Sequence, residues 1–289
     1  MDQPNYLPAL QGYIDKMPSL PTSVTKILEI CNDPKTSPAD LNKVIGLDPV
    51  LMGKVMKLIN SAYYGLSQEV TSLVRAIIML GINTVKNLAL STAVLGTLGK
   101  QQAIEGLNMD GFWRHSLCVG VTAKLIAKGR KIDSKLHEEY FMAGILHDIG
   151  KIPLNNRLSK QYVMALAASD RDNSPMYLAE KKTLGLDHSE VGKLVVELWK
   201  LSPEIRDTVL HHHHPVEYTG QFKDIVWTVA LANYFSNYYE IGFSGDRYPD
   251  RLPEEVFAYL GVSLEQLEDL EDKVNAEIEK ARIFLKLAA

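Results

Sequence analysis

Apolar residues in this chain recur at intervals of three and four, in short blocks that open on capping residues and close on glycine or proline. After Pro21, residues Val24, Ile27, Leu28 and Cys31 follow the i, i+3, i+4, i+7 order of an amphipathic helix. Ser37 before Pro38, and Asp48 before Pro49, each pair a capping side chain with a proline at the first helical position. Leu41, Val44 and Ile45 follow the first cap; Leu51, Val55, Leu58, Ile59 and Ala62 follow the second. Helical patterns then run from Leu73 to Leu80 and from Thr84 to Leu98, parted at Gly81. Near the C terminus Ser263 and Gln266 form a capping box, and Leu267, Leu270, Val274, Ile278, Ala281 and Leu285 continue at three and four. These blocks do not carry the period-two alternation of a half-buried strand, so the predicted class is all-α.

Length and charge narrow the partners. The 289 residues suffice for one large domain or two small ones. The net charge is −4, without the concentrated basic face that nucleic acid requires, so no nucleic-acid partner is expected. Cys31 and Cys118 stand far apart and outside any Cys-x-x-Cys pair, which fits a reducing cytoplasm. No apolar run reaches the roughly 18–20 residues of a membrane helix, and the first residues lack the basic head and apolar core of a signal peptide. A cytoplasmic protein with no membrane partner is therefore expected.

The chemistry concentrates on Phe141 to Lys151, which reads Phe-Met-Ala-Gly-Ile-Leu-His-Asp-Ile-Gly-Lys. Neutral imidazole and carboxylate both ligate borderline divalent metals. Adjacent residues on a helix diverge by about 100°, so His147 and Asp148 can share an ion only where a helix ends or several segments meet. Gly150 and Pro153 supply such an ending. Other histidines stand at 115, 188 and 211–214. His115 shares a helix face with Phe112, Val119, Thr122 and Ile126, which suits a hydrogen-bonded core histidine as well as a ligand. His188 opens the helix 189–199, where it fits a capping region or a metal. His211 to His214 end another helix, where imidazolium is favoured by the helix dipole and imidazole by a metal. His137, among charges, is expected at the surface. Asn60 and Ser61 read as residues bonded to nearby backbone, and Tyr63 and Tyr64 as core or surface aromatics.

Several motifs in order resemble a known family. Trp113-Arg-His-Ser, the His147-Asp148-Ile-Gly-Lys run, His188-Ser-Glu-Val-Gly and the histidine block before Pro215 are similar to the HD superfamily of metal-dependent phosphohydrolases. Leu20-Pro21, Leu47 to Leu51, Ile59 to Gly65 and Ala76 to Gly81 narrow the resemblance to the HDOD family, the HD-related output domain of bacterial signalling proteins. The resemblance runs from about Leu7 to about Asn237. It implies metal ligands at His115, His147 and Asp148, and a phosphate-holding cation at Lys151. It also implies the extra positions of the binuclear HD-GYP branch at His188, His212 and His213, leaving His211 and His214 flanking. If the protein were active, Asp148 and Lys151 would be its catalytic residues. Two positions depart from the pattern. The final aspartate position holds Asn233, and Pro215 to Gly220 replaces the Gly-Tyr-Pro segment of cyclic di-GMP phosphodiesterases.

The resulting expectation has three parts: an N-terminal helical part over 1–105, an HD-like helical subdomain over 106–245 and a C-terminal helical extension over 246–289. The implied role is a bacterial signalling module that acts by binding a signalling protein or a small phosphorylated ligand. Its degenerate HD site would hold iron, manganese or zinc. A metal-dependent phosphohydrolase or phosphodiesterase is the alternative. The apolar stripe after Ser263 is expected to pack on the domain itself, or otherwise to join a second copy through 263–289.

Overall fold

The computed structural model describes residues 6–98 and 106–288. The expected boundary between the first two parts, at 105, lies outside the described residues. Every regular element described is helical, as the periodicity predicts. The first part comprises α1 (Leu7–Ile14), α2 (Thr22–Cys31), α3 (Pro38–Gly46), α4 (Pro49–Ile59), α5 (Leu73–Leu80) and α6 (Ile82–Leu98). The caps read from sequence are in place: Ser37 exchanges bonds with Asp40, and Asp48 accepts from the Leu51 amide at 2.9 Å. Gly81 takes φ +88°, a conformation that glycine adopts cheaply, and the chain turns there by 116° between α5 and α6. This bent pair satisfies the length and composition of a membrane span taken together, yet no single described helix is long and apolar enough to cross one.

The second expected part begins with α7 (Met109–Gly129), which is buried around most of its circumference. Against it pack α8 (His137–Leu146) and α14 (Lys223–Tyr238). Between α8 and α14 run α9 (Lys151–Arg157), α10 (Ser159–Asp172), α11 (Met176–Leu184), α12 (His188–Leu198) and α13 (Pro203–His211). Helices α7 and α8 meet backbone to backbone at Gly120 and Gly144. A Cβ on Gly144 would lie 2.6 Å from the Gly120 Cα, so both positions must stay small. That approach brings His115 on α7 up to the end of α8.

Asn60 donates to the Val70 carbonyl and accepts from the Val70 amide, both at 2.8 Å, so it serves the backbone as read from sequence. His137 departs from expectation. It is half-buried, and its Nε2 bonds the Ile132 carbonyl at 2.9 Å, because the turn at Lys131 folds that carbonyl over the ring.

The C-terminal segment divides into α15 (Glu254–Leu260), α16 (Leu264–Glu268) and α17 (Glu271–Ala288). The capping box at Ser263 and Gln266 is present, but it starts a short helix rather than one continuous tail. Helix α17 lies against α4, α6 and α7 and buries Val274, Ile278, Ala281 and Phe284. Leu285, expected on the buried stripe, is only half-buried. Phe284 takes the inward position because its ring joins Tyr63 and Phe141, with centroids 5.1 and 4.9 Å away. Lys124 completes this junction, donating to Tyr63 Oη at 2.9 Å and to Glu138. Phe284→Ala is therefore expected to cost about 3–5 kcal/mol, read as a lower urea midpoint; a shift under about 1 kcal/mol would show that α17 is not part of the core.

Candidate metal centre

The chain breaks and restarts between α8 and α9, and the break carries the His-Asp pair. Gly150 and Pro153 act differently from expectation. Gly150 precedes α9, which begins at once with Lys151, and Pro153 sits in the first turn of α9. Proline is tolerated there because the amide it lacks would have had no helical acceptor. A Cβ on Gly150 would fall 1.9 Å from the His188 carbonyl oxygen and 2.4 Å from the Gly192 nitrogen. The turn thus lies directly on the start of α12, which delivers His188.

Asp148 is the hub. It is 1% exposed, and its two carboxylate oxygens face different groups. Oδ2 accepts from Lys151 Nζ at 2.8 Å and lies 3.4 Å from His147 Nε2 and 3.7 Å from His115 Nε2. Oδ1 lies 3.1 Å from His188 Nε2 and 3.6 Å from His212 Nε2. His213 Nε2 stands 2.9 Å from His188 Nε2. Two donor groups share this carboxylate: His115, His147 and Asp148, and Asp148, His188, His212 and His213, with the atoms of each group within 4.8 Å of one another. All six side chains named from sequence therefore meet in one place. His211 and His214 stay outside both groups, against Tyr218 and Tyr177.

Bonds behind the imidazoles set their orientation. His147 Nδ1–H donates to the Gly144 carbonyl at 2.7 Å, and His212 Nδ1–H donates to the Val209 carbonyl at 2.9 Å. His188 Nδ1–H donates to Glu180 at 2.6 Å. The Ser236 hydroxyl donates to the Ile241 carbonyl at 2.9 Å, so its oxygen accepts from His115 Nδ1–H at 3.0 Å. Each ring thus directs Nε2 inward, the arrangement by which outer partners hold metal-ligating histidines. His213 is set instead by stacking on Tyr177, with centroids 4.6 Å apart.

Burial keeps most of these rings neutral. It pushes His115 down to about 3 and His212 down to about 4, and it drives His213 well below its ordinary value. For His188 burial also disfavours the charge, but Glu180 outweighs it and raises the ring to about 9. Burial opposes ionisation of Asp148 too, but the neighbouring His147 and Lys151 hold its carboxyl well below the usual range.

A divalent cation fits this donor set. Asp148 Oδ1 and His212 Nε2 are both buried without a hydrogen-bond partner among the described residues. His188 Nε2 and His213 Nε2 stand 2.9 Å apart, close enough to be offered to the same ion. The fourth position implied by resemblance is neutral: Asn233 is buried and accepts from Asn237 Nδ2 at 3.1 Å.

Sequence reasoning did not reach Glu180, Ser236 and Ser244. Glu180 had a usable signal, since it lies four residues after Met176 and four before Leu184 and so falls on the apolar stripe of α11. Ser244, which accepts from Lys151 at 3.1 Å, comes from an irregular loop and had none.

Comparison with known proteins agrees with this architecture. An uncharacterised protein of Treponema pallidum (strain Nichols) is 21% identical over 255 residues, covering 88% of this chain and 48% of that protein. The chain thus spans about half the length of this curated relative. A crystal structure of an HDOD domain protein of unknown function from Geobacter sulfurreducens superposes with TM-score 0.74 at 25% identity, covering 95% of this chain and 96% of that one. A proposed phosphohydrolase from Shewanella amazonensis superposes with TM-score 0.72 at 24% identity, covering 97% and 98%. A proposed signal transduction protein from Marinobacter aquaeolei gives 0.74 at 18% identity, covering all of this chain and 62% of that one. The family model for the HDOD domain matches residues 17–215, more than half the sequence, and with the helical architecture around the His-Asp turn this makes the chain a member of the HDOD domain family.

Proposed function

We propose that this chain is a bacterial regulatory HDOD module that acts by binding, with a divalent metal held in its buried His-Asp site. The observation that carries this reading is the enclosure of the site. His115, His147, Asp148, Lys151, His188 and His212 are each at most 2% exposed, and among the donor residues His213 alone is half-buried, so the donor atoms lie below the surface in this conformation. Lys151, the residue that would grip a phosphate, has its ammonium engaged by Asp148 and Ser244. The cavity of about 750 Å³ beside α7 is lined by Trp113, Arg114, Leu117, Gly242 and Ile278 among others, and by none of the six. Imidazoles with a carboxylate suit iron, manganese or zinc.

A second reading is a metal-dependent phosphohydrolase. A carboxylate shared by two donor groups favours it, since two-metal sites clamp the attacking and leaving oxygens of a phosphoryl transfer. When bound, a metal would lower the pKa of a coordinated water and polarise a phosphoryl oxygen. One experiment separates the two. The untagged protein, loaded with iron or manganese, is assayed on phosphomonoesters, nucleotides and cyclic dinucleotides. Retained metal without turnover is expected. Turnover that disappears in His147→Ala and Asp148→Ala would establish the hydrolase instead.

A further inference from the structure

The donors of the His-Asp site ride on helices or on the turns that end them, and the helices meet backbone to backbone at Gly120 with Gly144 and at Gly150 with Gly192. One neighbour of the site is built differently. Residues 240–250, between α14 and α15, form no regular element, yet they touch three of the segments around the donors. Gly242 sits on the backbone of His115, where a Cβ would fall 2.2 Å from the amide nitrogen. The Phe243 amide donates to the Gly111 carbonyl at 2.9 Å. Ser244, 1% exposed, accepts from Lys151 at 3.1 Å, and Asp246 accepts from the Met176 amide at 3.3 Å. Arg247 adds an exposed ion pair to Asp170 at 2.9 Å. At the far end Asp250 accepts from Tyr177 Oη at 2.7 Å. The Tyr177 ring stacks on His213, the half-buried member of the donor set.

This segment can lift while the helices stay in place. Among the described residues no hydrogen bond links one member of 243–250 to another, so opening breaks only the ties to the helices. Chain held in this way opens locally at less cost than a packed helix. Its root also borders open space, since Glu240 and Gly242 line the cavity of about 750 Å³ beside α7. Asp250 is exposed, which puts the Tyr177 tie at the surface edge of the site. We propose that residues 240–250 are a strap that gates the His-Asp site. Closed, it shuts the donor histidines in; release of the Asp250–Tyr177 tie lets it lift and admit an ion or a small solute. The strap adds regulation to the metal-binding reading of this site, and it rests on that reading only for the passage of an ion.

The test is access to the buried histidines. The untagged, metal-free chain is treated with diethyl pyrocarbonate, and modified residues are followed by mass spectrometry, with hydrogen exchange of 240–250 as the report on opening. In wild type His115, His147, His188 and His212 should react slowly, and the strap amides should exchange faster than those of α7. Asp250→Ala and Tyr177→Phe each remove the tie, the second while keeping a ring on His213. Each should speed modification of the four histidines about tenfold, the effect of one charge-assisted hydrogen bond on an opening equilibrium. His214, outside the donor groups, should react alike in all three proteins. Buried histidines that keep the wild-type rate in both variants, or strap amides protected as strongly as those of α7, would overturn the proposal. So would faster reaction that a lower urea midpoint accounts for, since the opening would then be global. In the zinc-loaded chain, release to a chelator should quicken by the same factor with Kd unchanged. A chain that retains no zinc would fail the metal-binding reading alone, because the histidine rates are measured without metal.

Discussion

Gly150→Ala is expected to destabilise this protein strongly. The new Cβ would lie 1.9 Å from the His188 carbonyl oxygen and 2.4 Å from the Gly192 amide nitrogen. Both are backbone atoms at the start of α12, so no side-chain rotation relieves the overlap. Overpacking of a core costs about 1–3 kcal/mol and sometimes more, and a clash with two rigid backbone segments belongs at or above the top of that range. Against a total stability of about 5–15 kcal/mol, such a loss should appear as a large drop in the urea midpoint and in soluble yield. The control is Gly53→Ala on the exposed face of α4, where nothing lies within 4 Å. That change should stabilise by about 0.5–1 kcal/mol, because glycine loses more chain entropy than alanine on folding into a helix. A Gly150→Ala protein within about 1 kcal/mol of wild type would mean that α9 and α12 do not meet as described.

The second large effect is expected at Glu180, which is fully buried and accepts from both the amide and the Nδ1–H of His188, at 2.8 and 2.6 Å. Two substitutions separate its charge from its hydrogen bonds. Glu180→Leu removes the acceptors and strands two buried donors; breaking a buried charged pair in this way costs about 3–5 kcal/mol. Glu180→Gln keeps an acceptor oxygen for His188 and removes only the negative charge. It should stay folded but hold metal about 10–100-fold more weakly, the usual consequence of losing the carboxylate behind a ligating histidine. Melting curves check the first variant and competition with a metallochromic chelator checks the second. If Glu180→Gln holds metal as wild type does, the carboxylate is a packing group and not a tuning one.

Legibility from sequence followed the range of the interactions. The helices of the first part were readable because their signals are local: Ser37 and Asp48 cap within three residues, and apolar spacing reports the buried face directly. The His-Asp turn was readable as a break, but the use of Pro153 to begin α9 rather than end α8 was not, since proline signals either boundary. The tail shows the same limit. Periodicity put Leu285 on the buried stripe, while packing against Tyr63 and Phe141 turned Phe284 inward instead.

The sequence by itself determined the helical class, the positions of the helix starts and the supply of imidazole and carboxylate along the chain, because each depends on residues within a turn or two of one another. Only the tertiary structure decided that His115, His188, His212 and His213 surround Asp148, that Glu180 and Ser236 aim two of those rings, and that Lys151 turns inward onto Oδ2. Those contacts join residues as far apart as Ser236 and His115, 121 positions along the chain. They follow from backbones close enough to touch at Gly120 with Gly144 and at Gly150 with Gly192, a property of packed helices that no local pattern encodes.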